Sequence, residues 1–132
     1  RIGYGIMSPK LVKHIIDIKS PYNLSVASEA ALVAALEEKD LLMKEVTKIV
    51  GERERMYKLL QDIDGIHPFP SEGNFILCGF EEGKVEHVYQ GLANQGIFVR
   101  KFDSQRLANH FRISVGKPDQ TDRLISVIKE LV

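Results

Sequence analysis

The stretch Asn74-Phe75-Ile76-Leu77-Cys78-Gly79-Phe80 constrains this chain more than any other. Apolar side chains occupy both alternating positions. A strand here is therefore buried on both faces, inside a sheet that other layers cover. Punctuation on either side defines its neighbours. Gly65 ends a helix, Ile66-His67-Pro68-Phe69-Pro70 is extended because its prolines disfavour helical backbone, and Ser71-Glu72-Gly73 turns. Beyond Phe80, Glu82 to Gln95 carries Val85, Val88, Leu92 and Ala93 at helical spacing, and Gly96 closes that helix. Ile97 to Arg100 reads as a strand, Asp103 to Asn109 as a polar loop and Phe111 to Val115 as a strand. Pro118 opens a last helix that packs through Leu124, Ile125, Val127, Ile128 and Leu131. The order strand, strand, helix, strand, strand, helix predicts an α/β fold, with helices on a small, largely antiparallel sheet.

Ahead of Gly65 the chain is helical. Arg1 to Met7 reads as the end of a strand or a strand and turn. Ser8-Pro9 caps and starts a helix that runs to about Ile18, and Ser20-Pro21-Tyr22-Asn23 breaks it. Ser25 opens a longer stretch, supported by Glu29, with Ala31, Leu32, Ala35 and Leu36 on one face. Asp40 restarts it after a bend, and the stripe continues through Leu42, Val46, Ile49 and Val50 to Leu59, Leu60 and Ile63. Glu52, Arg53, Glu54 and Arg55 read as a solvated face with short-range ion pairs. The chain opens without methionine and inside an apolar segment, which leads to the expectation of a piece of a longer protein.

Composition narrows the function classes. With 44% hydrophobic residues in 132, the chain can bury a core of its own. A formal net charge of zero argues against nucleic acid and membrane surfaces as partners. No apolar run approaches the ~20 residues of a membrane span. A single cysteine, Cys78, excludes an internal disulfide framework and suits a reducing compartment such as the cytoplasm. Its mid-strand position makes it a small hydrophobe and not a nucleophile. His14, His67, His87 and His110 are scattered without metal-ligand spacing, so no metal is expected.

The chemistry sits on arginines. Arg100 and Arg112 lie on two predicted strands joined by one loop, so adjacent strands bring both side chains toward one cavity. An always-charged planar fork suits carboxylate or phosphate. Arg112 interrupts the apolar run Phe111-Arg112-Ile113-Ser114-Val115, where an unpaired charge is costly. It needs an anion, either a protein carboxylate or a substrate. Asn74 either caps a turn or shapes a cavity wall, and Tyr4 and Tyr22 are either core or presented hydroxyls. No general base, nucleophile, metal cluster or phosphate-binding glycine loop accompanies the arginines. By its own residues the chain supplies half of an active site.

Five segments in this order carry a resemblance: Arg1-Ile2-Gly3-Tyr4-Gly5, Pro21-Tyr22-Asn23, Pro70 to Leu77, Gly96 to Arg100 and Phe111 to Gly116. Over essentially its whole length the chain resembles the C-terminal part of a fold-type I pyridoxal-phosphate-dependent aminotransferase. Within that group it is similar to the histidinol-phosphate enzymes. The resemblance implies that residues 1–22 are a remnant of the large cofactor-binding domain and 23–132 the small C-terminal domain, entered by a long inter-domain helix. It implies Arg1 on the phosphate of pyridoxal 5'-phosphate, Arg112 on the substrate α-carboxylate and Arg100 on the substrate phosphate. Tyr22 and Asn74 fall at the domain junction without assigned chemistry. The Schiff-base lysine lies eight residues before the position of Arg1, so the chain alone has no catalytic residue and is expected to be inactive. For the parent it implies a homodimer, in the cytoplasm or a plastid stroma, that exchanges an amino group between L-histidinol phosphate and 2-oxoglutarate. Two other readings are a decarboxylase of threonine phosphate on the same scaffold and a non-catalytic α/β interaction module. The module predicts that Arg100 and Arg112 point to solvent or pair internally.

Overall fold

The structure, a computed structural model, describes residues 2–132. The chain divides into two compact units, 1–44 and 45–132, with the boundary inside the third helix. The first unit is helical. Helix α1 (Pro9–Ile18) starts where Ser8 Oγ accepts from the Leu11 N–H at 3.4 Å, with proline in the first turn. Helix α2 (Val26–Glu37) is capped by Ser25 Oγ, which accepts from the Ser28 N–H at 3.1 Å. Helix α3 (Lys39–Gln61) follows after a single interrupting residue, Glu38, with Asp40 in its first turn. None of the described residues of α1 and α2 is buried, and Tyr4 and Tyr22 are both more than 90% exposed. Neither tyrosine is core within this chain.

The second unit carries the sheet. Strands β1 (Ile66–Pro68), β2 (Phe75–Phe80), β3 (Arg100–Lys101) and β4 (His110–Ser114) form one antiparallel sheet in the order β1-β2-β4-β3. Helices α4 (Lys84–Asn94) and α5 (Pro118–Leu131) cover one face. The core joins Ile76, Cys78, Phe80, Phe111 and Ile113 from that face to Met56 and Leu60 of α3, Val88 and Leu92 of α4, and Leu124 and Ile128 of α5. The Phe80 and Phe111 rings meet at 4.4 Å between centroids. Gly65 and Gly96 have φ of +82° and +72°, conformations that a Cβ disfavours, and they stand where α3 and α4 give way to the next segments.

Three expectations change. Strand β2 is not buried on both faces within this chain: Ile76, Cys78 and Phe80 are, whereas Phe75 and Leu77 stay partly open. The strand expected over 97–100 pairs only at Arg100 and Lys101. The Ile97 N–H bonds the Leu92 carbonyl at 2.9 Å, which ties the segment to the end of α4 instead of to β4. The charged run of α3 keeps the expected short-range ion pair and an exposed Glu54, but it is not solvated throughout. Glu52 is buried, its carboxylate takes three guanidinium N–H···O contacts from Arg55, and Arg55 also reaches Asp122 at 2.7 Å and the Pro118 carbonyl at 2.9 Å.

Candidate functional site

Side chains alternate across a strand, so the sheet's second face collects Phe75, Leu77 and Gly79 of β2 with His110, Arg112 and Ser114 of β4. Arg100 is the direct cross-strand partner of Arg112, and Leu77 is its partner on the other side. The two arginines expected to converge therefore stand side by side on one face. Like charges placed directly opposite one another repel. Among the described residues neither guanidinium has a salt-bridge partner, since the ion pairs of this unit belong to Lys48, Arg55, Lys84 and Lys101. The pair is a site of concentrated positive charge with no internal counter-ion, on a rigid antiparallel ladder.

The two differ in setting. Arg100 is exposed. Arg112 is half-buried, its guanidinium carbon lies 5.0 Å from the Phe75 ring centroid, and its Nε is shielded from solvent without a hydrogen-bond acceptor. Arg100 therefore stands open to solvent, whereas Arg112 is only partly so. A cleft of about 280 Å³ opens where 97–99 diverge from β4, is lined by Val99, Ile113, Ser114 and Thr121 among others, and includes neither guanidinium.

Of the remaining candidates, Arg1 lies outside the described residues. Asn74 is exposed, and the turn before it is closed instead by Ser71, whose Oγ accepts from the Gly73 N–H at 3.1 Å. The Asn74 carbonyl accepts from the Val115 N–H at 2.8 Å, which prolongs the β2–β4 pairing by one step past Ser114. Cys78 is fully buried, and burial pushes its thiol up to about 12. Among the described residues no group of three metal-ligating side chains forms.

Two features of the site escaped the sequence. Phe75 is the surface on which Arg112 rests. The Glu52–Arg55–Asp122 network joins α3 to the first two turns of α5, four to eight residues beyond the arginine's strand. Arg55 holds the Glu52 carboxyl below its ordinary range against the opposing effect of burial. The Thr121 hydroxyl faces the same carboxylate without full hydrogen-bond geometry. Pairs separated by sixty or more residues leave no local signal. The sole hint for Phe75 was Gly73, two residues before an aromatic.

With this geometry in place, the comparisons with known proteins give a class. The profile of the aminotransferase class I and II family matches residues 1–128, and the chain belongs to that family. It is 40% identical over 131 residues to the histidinol-phosphate aminotransferase of Dehalococcoides mccartyi, covering 99% of this chain and 37% of that one. A solved structure of histidinol-phosphate aminotransferase from Sinorhizobium meliloti, in complex with pyridoxal-5'-phosphate, superposes with a TM-score of 0.74 at 26% identity. It covers 93% of this chain and 34% of that one. L-threonine-O-3-phosphate decarboxylase from Porphyromonas gingivalis superposes at 0.79 over 95% of this chain and 39% of that one. At 16% identity this is a likeness of fold alone. The fold is that of the small domain of fold-type I enzymes. The chain spans about a third of the length of the curated relatives it matches, 37% of one and 31% of another.

Proposed function

We propose that the full-length protein is a histidinol-phosphate:2-oxoglutarate aminotransferase that uses pyridoxal 5'-phosphate. In this reading residues 23–132 are its small domain and residues 1–22 belong with its large one. The observation that carries the reading is the register pair Arg100–Arg112, two guanidinium groups on one rigid face without a carboxylate partner. The histidinol-phosphate aminotransferases of Dehalococcoides mccartyi and Sinorhizobium meliloti each match nearly the whole chain.

The pair fits the substrates by charge. L-histidinol phosphate offers one dianionic group, which two adjacent forks can share. Glutamate and 2-oxoglutarate offer two carboxylates. Arg112 takes the α-carboxylate and Arg100 the distal one, which occupies the position of the phosphate. Anchoring through both ends fixes the reacting carbon, a contribution of position and not of proton transfer. The orphaned Nε of Arg112 and its apolar surroundings make the charge cheapest when an anion is bound.

The described residues fit the substrate's anions better than the cofactor. For the cofactor this chain offers Arg1 on its phosphate, and the Schiff-base lysine belongs to the parent. When bound, the cofactor supplies the electron sink for amino transfer. We further place the parent as a homodimer in the cytoplasm or a plastid stroma. Among the described residues no helix is long and apolar enough to cross a membrane.

The test is an absorption titration of the full-length protein with pyridoxal 5'-phosphate and then L-histidinol phosphate. Conversion of the cofactor to its amine form is expected, with return on addition of 2-oxoglutarate. Release of carbon dioxide from threonine phosphate in place of that cycle would move the assignment to the decarboxylase. An intact parent that binds no cofactor would remove both.

A further inference from the structure

Resting on the reading above, we infer that Phe75 is the positioning residue for Arg112: its ring is the platform that fixes the guanidinium plane, so that the substrate anion meets a preset fork. Four observations converge. The Arg112 guanidinium carbon sits 5.0 Å from the Phe75 centroid, within cation–π range. Register makes this contact diagonal across the sheet, because Phe75 pairs with Ser114 and Leu77 pairs with Arg112. The arginine therefore leans along its strand toward the β2 start instead of standing straight off the sheet. Its Nε is shielded from solvent and has no hydrogen-bond partner, while the half-buried side chain keeps its Nη edge free of partners among the described residues, so that edge is the one an anion can reach. The platform itself is held. A Cβ on Gly73 would come within 2.9 Å of the Phe75 ring, so the ring occupies space that only glycine leaves free, and Arg53 of α3 donates to the Gly73 carbonyl at 3.3 Å.

The chemistry explains why a platform matters here. A long arginine has several rotatable bonds, and fixing them only upon binding would weaken the hold on the anion. A stacked guanidinium has that freedom already removed, and its fork is presented edge-on. Phe75 touches no reacting atom in this account. Its effect passes wholly through Arg112.

The experiment compares Phe75→Leu and Phe75→Tyr in the full-length enzyme, with two readouts. Steady-state kinetics should show the KM for glutamate and for L-histidinol phosphate raised about tenfold in Phe75→Leu, equivalent to about 1.4 kcal/mol, with kcat within about twofold. Phe75→Tyr keeps the ring and should stay within about twofold of wild type on both. The second readout is the rate at which phenylglyoxal modifies Arg112, followed by mass spectrometry of its peptide without substrate. This rate should rise several-fold in Phe75→Leu and stay unchanged in Phe75→Tyr. Equal modification rates in wild type and Phe75→Leu would overturn the inference, as would a Phe75→Tyr variant that behaves like Phe75→Leu. A wild-type protein that turns over neither substrate would defeat the functional assignment, and the modification rates would still decide whether Phe75 holds Arg112.

Discussion

At the scale of single residues, Arg100 and Arg112 are charges to which the described residues offer no ion-pair partner. Arg100 opposite Arg112 is a repulsive cross-strand pair in the unliganded protein. Arg100→Ala should therefore stabilise the chain slightly, by roughly 0.2–1 kcal/mol in urea unfolding, while it weakens anion binding. Arg112→Lys keeps the charge and loses the planar fork, so it should weaken carboxylate binding where charge alone would predict no change. Glu52 behaves oppositely. Its folded carboxyl titrates below the ordinary value of 4.5, so its ion pair stabilises fully above that pH and fades as pH falls through the lower folded value. Glu52→Gln should flatten the acid limb of stability below about pH 5, measured as urea midpoint against pH. Cys78, with its thiol pushed up to about 12, should resist alkylation at pH 8 in the native chain and react on unfolding.

At the scale of elements, the sequence revealed what is local and missed what is paired. Helix α1 begins within a residue of its expected start because Ser8 and Pro9 are caps with a mechanism. The last helix follows Pro118 for the same reason, and Lys117 N–H donates to Gln120 Oε1 across its first turn. Gly65 and Gly96 mark real reversals because their φ is positive. The edge strand was overestimated, since a β-rich tetrapeptide says nothing about whether a neighbour is within reach. Here the end of α4 claims Ile97. The arginine pair was legible as two forks one loop apart, but the Phe75 platform and the Arg55 clamp depend on register and helix docking. Arg55→Ala leaves Glu52 buried without its donors and should cost about 1–3 kcal/mol in unfolding free energy, more than a surface ion pair.

At the scale of the whole molecule, the two units differ in how far they are finished. Residues 45–132 close around a core whose central side chains are shielded from solvent. The first unit leaves Ile6, Ile18, Val26 and Leu36 more than 60% exposed, a surface expected to be covered in the parent protein. The isolated chain should therefore bind a hydrophobic dye and sediment with concentration-dependent mass, and the full-length protein should bind the dye less. In the proposed aminotransferase, this domain contributes a two-arginine anion site. The most direct measurement is the steady-state kinetics of Arg100→Ala in the full-length enzyme with L-histidinol phosphate and with 2-oxoglutarate. A KM raised on the order of tenfold or more is expected for both substrates, since each loses a charge-assisted contact. Unchanged kinetics for both would contradict it.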